Sequence, residues 1–237
     1  MLKVDLHIHT SDDPIDSIPY DSFTLIDRAS ELGYSAVAIT LHDRQLPIRE
    51  LAEYGRDHGV VVIRGIERTI DGKHVLLLNF PPAAEQVRTF DEVARLKADT
   101  NGLVVAPHPF YPAPCCLRGH LDRYADVFDA IEVSAFYTRA VDFNRRGVEW
   151  AKKHGKPLVG NGDVHRLWQL GTTYSFVDAA PDADAICEAI RAGSVEVRTA
   201  PLSTFHAASL FASLFVSELW NRPSQAHGSL DLKREAG

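Results

Sequence analysis

The sequence has few cysteines, no long apolar run and no excess of positive charge, and each shortage excludes a class of protein. Its 3 cysteines, Cys115, Cys116 and Cys187, are odd in number and two are adjacent, which excludes a disulfide framework and favours a reducing cytoplasm. No apolar run could span a bilayer, and we expect no signal peptide or membrane partner. The net charge of -7 argues against a broad surface for nucleic acid. We therefore expect a cytoplasmic globular protein.

Apolar strand-like segments alternate with helical segments along most of the chain. Predicted strands lie in "LKVDLHI", "SAVAIT", "VVVIRGIE", "KHVLLLNF", "LVVAPHP", the segment around Ala130 to Val133, "PLVGNGDVH" and "SVEVRTA". Continuous apolar strands separated by helices indicate a parallel sheet that is covered on both faces. A chain of 237 residues suits one α/β domain, and the number of units favours a (β/α) barrel, with a doubly wound open sheet as the alternative.

The pattern changes after Pro201. The segment "FHAASLFASLFVSELW" predicts an amphipathic helix, and "NRPSQAHGSLDLKREAG" has the composition of a flexible tail. We expect a barrel domain over residues 1–202, a helix over residues 203–221 that packs against the barrel, and a tail over residues 222–237. A contact in a dimer is the alternative role for this helix.

The chain has 11 histidines, and two groups among them differ in their positions, one at the ends of predicted helices and one at the ends of predicted strands. His58 and His154 each precede a glycine that ends a predicted helix, where a cationic imidazole meets the negative end of the helix dipole. We assign both a structural role. They serve as a reference for the histidines that lie at the ends of predicted strands.

A second group of histidines and acids follows or ends the strands. The members of this group are His7, His9, His42, Glu67, His74, His108, Asp163 and His165. Because the carboxyl ends of the strands of a barrel meet on one face, residues far apart in sequence come together there. Imidazole and carboxylate suit zinc, manganese or iron, and so many candidate ligands imply about two or three ions.

Five motifs occur in the order "DLHIHT", "AITLHD", "GIE", "APHP" and "GNGDVH". Together they resemble the PHP (polymerase and histidinol phosphatase) family of metal-dependent phosphoesterases. The resemblance extends over roughly residues 2–200. It implies an α/β fold, a distorted seven-stranded (β/α) TIM-like barrel, with a dinuclear or trinuclear metal site at the carboxyl ends of the strands.

The resemblance also implies which residues bind the metals. Carried over by position, the ligands are His7, His9, His42, Glu67, His74, His108, Asp163 and His165. For a ninth ligand we favour Asp13, then Asp16, then Asp12. Leu41 stands where the family has an aspartate before the histidine, and Asp43 is a candidate to replace it as a hydrogen-bond partner of His42.

The implied function is a metal-dependent hydrolase, specifically a phosphoesterase that hydrolyses a small phosphorylated metabolite or nucleotide with a metal-activated hydroxide. His42 or His165 is the candidate general acid, and Arg118, Arg139 and Arg166 are candidates to bind the substrate phosphate. The cofactors would be two or three divalent ions of manganese, zinc or iron, and nucleic acid partners would be limited to nucleotides or short oligonucleotides. The alternatives are an amidohydrolase-like enzyme that cleaves a non-phosphate bond and a non-catalytic metal-binding barrel.

Overall fold

The structure is a computed structural model, and it describes residues 1–210. Of the helix predicted over 203–221, residues 204–210 are described and are helical. The remainder of that helix and the tail predicted over 222–237 lie outside the described residues. The division of the chain into barrel, helix and tail therefore stays a prediction. Within the described residues no helix has the length and apolar character that crossing a membrane requires.

One sheet organises the described part of the chain. Its 9 strands have the order β7-β6-β5-β4-β3-β2-β1-β8-β9, and both β8 and β9 also contact β7, so the sheet nearly closes. The strands are β1 (Leu2–Ile8), β2 (Ala36–Ile39), β3 (Val61–Ile70), β4 (Lys73–Leu78), β5 (Leu103–Ala106), β6 (Ala130–Ser134), β7 (Leu158–Asn161), β8 (Thr173–Val177) and β9 (Val195–Thr199). The α/β barrel-like fold is thus confirmed, with nine strands in the sheet where the resemblance implied seven.

The sheet is mixed, whereas the sequence predicted a parallel one. Strands β1, β2 and β3 are parallel, and so are β5, β6 and β7. Strand β4 is antiparallel to both β3 and β5, because the tight turn at Asp71 and Gly72, both with positive φ, reverses the chain directly after β3. Strand β8 is antiparallel to β1. Strand β9 is antiparallel to β8 and so has the direction of β1. Seven of the nine strands therefore direct their carboxyl ends to one end of the sheet.

Helices pack against the sheet. They are α1 (Ser22–Glu31), α2 (Ile48–Asp57), α3 (Phe90–Ala98), α4 (Gly119–Arg123), α5 (Asn144–His154) and α6 (Ala183–Arg191). The first five lie on its outer face, and α6 packs on the interior side chains. Asp21 caps α1 by accepting a hydrogen bond from the amide of Thr24. A capping box between Thr89 and Glu92 begins α3. These caps fix where each strand–helix unit turns.

The apolar core lies beneath the polar end of the sheet. One cluster takes buried side chains from every strand from β1 to β8 and from α6, so it fills the interior of the barrel. In β6 and β7 the apolar residues of this cluster, Ala130 and Val159, are followed two residues later by Glu132 and Asn161. Residues at i and i+2 of a strand share a face. A polar layer therefore begins directly above the apolar one.

Candidate metal centre

The predicted ligands converge at the carboxyl ends of the strands. His7 lies in β1, Glu67 in β3 and His74 in β4, whereas the others follow β1, β2, β5 and β7. Every predicted ligand belongs to at least one group of three in which the ligand atoms lie within 4.8 Å of one another. These residues are His7, His9, Asp13, His42, Glu67, His74, His108, Asp163 and His165.

Glu67 lies at the centre of the cluster and is 1% exposed. Its Oε2 lies 3.2 to 3.4 Å from the Nε2 atoms of three imidazoles, those of His7, His9 and His42. Its Oε1 lies 2.7 Å from His74 Nδ1 and 3.2 Å from His108 Nε2. A carboxylate that contacts imidazoles with both oxygens is placed to bridge two cations.

Asp163 is a second shared carboxylate. Its Oδ1 lies 3.4 Å from His7 Nε2 and 3.5 Å from His9 Nε2. Its φ of 47° is in the left-handed region, and the preceding amide of Gly162 donates to the Asp5 carboxylate. Positive φ at a residue other than glycine is uncommon, and such strain concentrates at functional sites. The loop after β7 is therefore held in an unfavourable conformation that directs Asp163 to the cluster.

Carboxylates also contact the outer nitrogens of three imidazoles. The Nδ1 of His7 lies 2.8 Å from Glu132, and the Nδ1 atoms of His9 and His42 lie 2.9 and 3.0 Å from Asp13. A carboxylate at Nδ1 fixes the ring orientation and leaves Nε2 as the donor to a metal, which is the usual arrangement behind metal-binding histidines. In each of these residues the Nε2 faces Glu67.

Glu132 is a functional candidate that the sequence analysis missed. It is 1% exposed, and besides His7 it accepts hydrogen bonds from the side-chain amide of Asn161 and the backbone amide of His108. The available signal was its position in β6, where an acid interrupts an otherwise apolar buried strand. Buried acids are rare unless they are paired, so such an interruption indicates a partner.

The residues fit divalent cations. The Nε2 atoms of His7 and His9 are buried and have no hydrogen-bond partner, although carboxylate oxygens lie 3.3 to 3.5 Å away. An unpaired buried polar atom is costly, and a cation between these nitrogens and oxygens would satisfy both. The chemistry of the donors, imidazole nitrogen and carboxylate oxygen, is that of zinc, manganese and iron sites.

The three candidates for a ninth ligand have different surroundings. Asp13 contacts the imidazoles of His9 and His42 and also accepts a hydrogen bond from the backbone amide of His42. Asp16 has its Oδ2 3.0 Å from His165 Nε2, and Asp12 lies near the hydroxyl of Ser22. The structure thus brings Asp13 and Asp16 to the cluster and directs Asp12 elsewhere.

Asp43 and Asp5 lie close to the cluster but contact groups other than its imidazoles. Asp43 accepts hydrogen bonds from Arg68 and the amide of Thr69, so it holds the loop after β2 against β3 and does not contact the imidazole of His42. Asp5, which alternates with His7 along β1, accepts from the backbone amides of Gly162 and His7 and does not contact a ring. Burial raises the pKa of Asp5 to about 7, against the lowering effect of these amides.

The cluster controls the charge of its own members. Burial opposes the positive charge of His42, His74 and His108, but the neighbouring Glu67 outweighs it and raises the pKa of each to about 9. Burial likewise opposes ionisation of Glu67, but the surrounding imidazoles hold its pKa well below the usual range. Without a metal, cationic imidazoles therefore balance the acids.

A cavity of about 430 Å³ opens onto the cluster. Among its lining residues are Asp16, Glu67, Asp163 and four of the histidines, including both candidate general acids, His42 and His165. Of the residues that the structure describes, no arginine or lysine lines it. Arg118 donates to the carbonyl of Tyr111, Arg166 donates to the carbonyls of Ser17 and His165, and Arg139 is exposed.

Comparisons with known proteins agree with the motifs. A family model described as PHP-associated matches residues 142–195. The chain is 31% identical over 152 residues to the uncharacterized protein MJ1587 of Methanocaldococcus jannaschii, a match that spans 58% of this chain and 84% of that one. It is 42% identical over 65 residues to the PolC-type DNA polymerase III of Caldanaerobacter subterraneus subsp. tengcongensis, but the match spans only 5% of that polymerase.

Solved structures share the fold. A two-domain protein from Bacteroides vulgatus, named as containing a predicted PHP-like metal-dependent phosphoesterase, superposes with a TM-score of 0.65 at 19% identity over 91% of this chain and 69% of that chain. The lesion-specific endonuclease Q of Pyrococcus furiosus superposes with a TM-score of 0.56 at 17% identity over 89% of this chain and 66% of that chain. The ordered motifs, the matching model and the common fold together show that the chain belongs to the PHP domain family.

Proposed function

We propose that this chain is a metal-dependent phosphoesterase that hydrolyses a small phosphorylated metabolite or nucleotide. The observation that carries the proposal is the pair of buried Nε2 atoms of His7 and His9, which lack partners and face Glu67 and Asp163. Two or three divalent ions would be held by the nine clustered residues. The name of the Bacteroides structural neighbour supports the same activity.

Some residues would orient the imidazoles, and others would bind the ions. Glu132 and Asp13 hold the rings of His7, His9 and His42 so that each Nε2 is presented to a cation. Glu67 and Asp163 would bridge neighbouring ions. When bound, such ions lower the pKa of water and offset the charge that develops on the phosphoryl group.

His42 and His165 are the two candidate general acids, and both ring nitrogens of each are engaged. In His42 the Nδ1 lies 3.0 Å from Asp13 and the Nε2 lies 3.2 Å from the central Glu67, whereas in His165 the Nδ1 lies 2.9 Å from the carbonyl of Asp163 and the Nε2 faces Asp16, away from Glu67. His165 has its Nε2 3.0 Å from Asp16, and both side chains line the cavity. The Asp16 carboxylate would hold a proton on His165 Nε2, within reach of a leaving oxygen.

The size and charge of the site favour a small substrate. The cavity volume of about 430 Å³ is that of a site for a small molecule, and the net charge of -7 opposes binding of long nucleic acids. The endonuclease that shares the fold is named as lesion-specific, so short oligonucleotides are included among the substrates to be tested. The free thiols of Cys115, Cys116 and Cys187 support a reducing, cytoplasmic setting.

A substrate panel tests the proposal. Purified protein would be analysed for metals and then assayed with manganese against phosphomonoesters, phosphodiesters, short oligonucleotides, amides and carboxylic esters. We expect metal-dependent hydrolysis of phosphate esters, abolished by a chelator and restored by manganese. Hydrolysis of amides or carboxylic esters alone would favour an amidohydrolase-like enzyme, and bound metal without any hydrolysis would favour a non-catalytic barrel.

A further inference from the structure

The cavity has an apolar part as well as its polar one. Besides the metal-binding candidates, it is lined by the side chains of Ile15, Tyr111, Ala113, Pro114 and Phe136. Ile15 is 46% exposed at the lip, whereas Tyr111 is buried. Apolar side chains pack well against carbon but cannot pair with a charged oxygen. This part of the lining is therefore suited to an organic group of the substrate.

Several cationic side chains around the site donate to backbone carbonyls, among them Lys73, which donates to the carbonyl of Pro114 at 2.6 Å. Arg118 donates from Nε and Nη2 to the carbonyl of Tyr111 at 3.4 and 3.3 Å. Arg166 donates from Nη1 to the carbonyl of His165 at 2.9 Å, and Arg44 donates to the carbonyl of Asp12 at 3.3 Å. None of the three arginines lines the cavity within the part of the chain that the structure describes. Their guanidinium groups hold the loops and are not presented to a ligand.

The number of charged oxygens differs between the two classes of phosphate ester. A phosphomonoester has three terminal oxygens and up to two negative charges, and arginine is the side chain whose geometry suits them. A phosphodiester has two terminal oxygens and one charge, and its remaining position carries a second organic group. A cavity with apolar lining and without a lining arginine matches the second class.

We propose that the cavity selects phosphodiesters with an apolar or aromatic ester group over phosphomonoesters, an inference that rests on the proposed phosphoesterase function. The ester group that stays on phosphorus would pack on Ile15, Tyr111 and Phe136. The volume of about 430 Å³ accommodates a group of the size of an aryl ring or a nucleoside beside the phosphate.

A matched pair of substrates tests the selection. The manganese-loaded protein would be assayed with p-nitrophenyl phosphate and bis(p-nitrophenyl) phosphate, which release the same chromophore. We expect kcat/KM for the diester to exceed that for the monoester by about tenfold or more. A higher kcat/KM for the monoester would overturn the inference and leave the phosphoesterase function intact. Hydrolysis of neither ester would contradict the phosphoesterase function and the inference with it.

Binding supplies a readout that does not depend on turnover. Diphenyl phosphate should raise the thermal unfolding temperature of the manganese-loaded protein more than phenyl phosphate at the same concentration. Equal or greater protection by phenyl phosphate would count against the inference even if both compounds bind.

A substitution at Ile15 should weaken the preference for the diester. Ile15→Lys places a cation on the apolar part of the cavity without disturbing the core, because the side chain is 46% exposed. We expect the ratio of monoester to diester kcat/KM to rise about tenfold in this variant. Ile15→Gln, which adds polarity without charge, is the matched control. A ratio in Ile15→Lys no higher than in Ile15→Gln would overturn the role of the apolar lining.

Discussion

His7 and His9 lie at the carboxyl end of a barrel strand with their Nδ1 atoms on carboxylates, whereas His58 and His154 end helices with their Nδ1 atoms on backbone carbonyls. The carboxylates are 2.8 and 2.9 Å away, and the carbonyls, of residues four positions earlier, are both 2.8 Å away. Both pairs are thus oriented at Nδ1. What differs is the burial of the opposite nitrogen and the number of carboxylates that it faces. The Nε2 of His58 lies 3.5 Å from one half-exposed carboxylate, that of Asp27.

At the helix ends the rings pack on neighbouring aromatic side chains. His58 stacks on Tyr54 with ring centroids 4.1 Å apart, and His154 stacks on Trp150 at 3.9 Å. At the strand end the Nε2 atoms are buried among carboxylates and have no hydrogen-bond partner. The difference teaches that a histidine indicates a metal site when a carboxylate lies behind its ring and its buried Nε2 faces several carboxylates without a hydrogen-bond partner.

Removal of an imidazole from the cluster should have the largest effect. His9→Ala should lower activity by about 100-fold or more and reduce the metal content, because it deletes a donor shared by three of the ligand groups. His58→Ala, its matched control, should retain both. Steady-state kinetics and elemental analysis on the two variants make the comparison, and equal behaviour of the variants would remove the distinction between the two groups of histidines.

Substitution of the carboxylate behind His7 should have the next largest effect. Glu132→Gln should weaken manganese or zinc binding by about 10-fold to 100-fold, because the ring loses its charged partner while the volume is kept. The control is Asp122→Asn, which alters an exposed carboxylate that binds Trp150 beside the helix-end His154. Calorimetric titration measures the affinities. Unchanged affinity in a folded Glu132→Gln protein would show that Glu132 does not support the site.

The affinity of the site for metal should depend on pH. Because the pKa values of His42, His74 and His108 are raised to about 9 in the metal-free protein, metal must displace protons at neutral pH. Metal affinity should therefore rise between pH 6 and about pH 9, with release of protons that calorimetry in buffers of different ionisation enthalpy detects. An affinity independent of pH would show that these imidazoles are neutral before metal binds.

The same shifts predict the stability of the metal-free protein. A folded pKa above the usual value of about 6.5 means that the stabilisation is fully present below pH 6.5 and is lost as the pH rises through about 9. Metal-free protein should therefore unfold more readily at pH 9.5 than at pH 6, whereas a chain whose cluster is uncharged would not show this dependence.

The smallest effect should come from the helix ends. His154→Ala should lower the free energy of unfolding by about 0.5–1.5 kcal/mol, because the hydrogen bond between its Nδ1 and the carbonyl of Trp150 at the end of α5 is lost, and should leave metal content unchanged. Urea unfolding of the metal-loaded protein measures the difference. A loss of metal in this variant would contradict the structural role of His154.

Much of this site could be predicted because the fold brings the carboxyl ends of the parallel strands close together. The motifs place every predicted ligand after or within a buried strand, and the structure brings these residues together. Strand β8 was missed because its buried and half-buried residues alternate, unlike the continuous apolar runs of the other strands. The antiparallel direction of β4 follows from the turn at Asp71 and Gly72, because this turn leaves no room for a helix that would return the chain parallel to β3.

The residues behind the ligands were harder to predict. Glu132 and Asp43 find their partners through side-chain conformation and loop geometry, which strand periodicity does not encode. The role of the arginines stays a prediction: Arg118 and Arg166 donate to backbone carbonyls, and sequence position alone does not specify such contacts. Sequence therefore predicts which residues reach the site better than it predicts which atoms they present.

Anomalous diffraction from crystals loaded with manganese or zinc tests the central claim most directly. Ions are predicted at about 2.0–2.2 Å from the Nε2 atoms of His7 and His9, with carboxylate oxygens of Glu67 and Asp163 completing the coordination. Anomalous peaks elsewhere, with both Nε2 atoms still lacking a ligand, would contradict the assignment of this cluster as the metal centre.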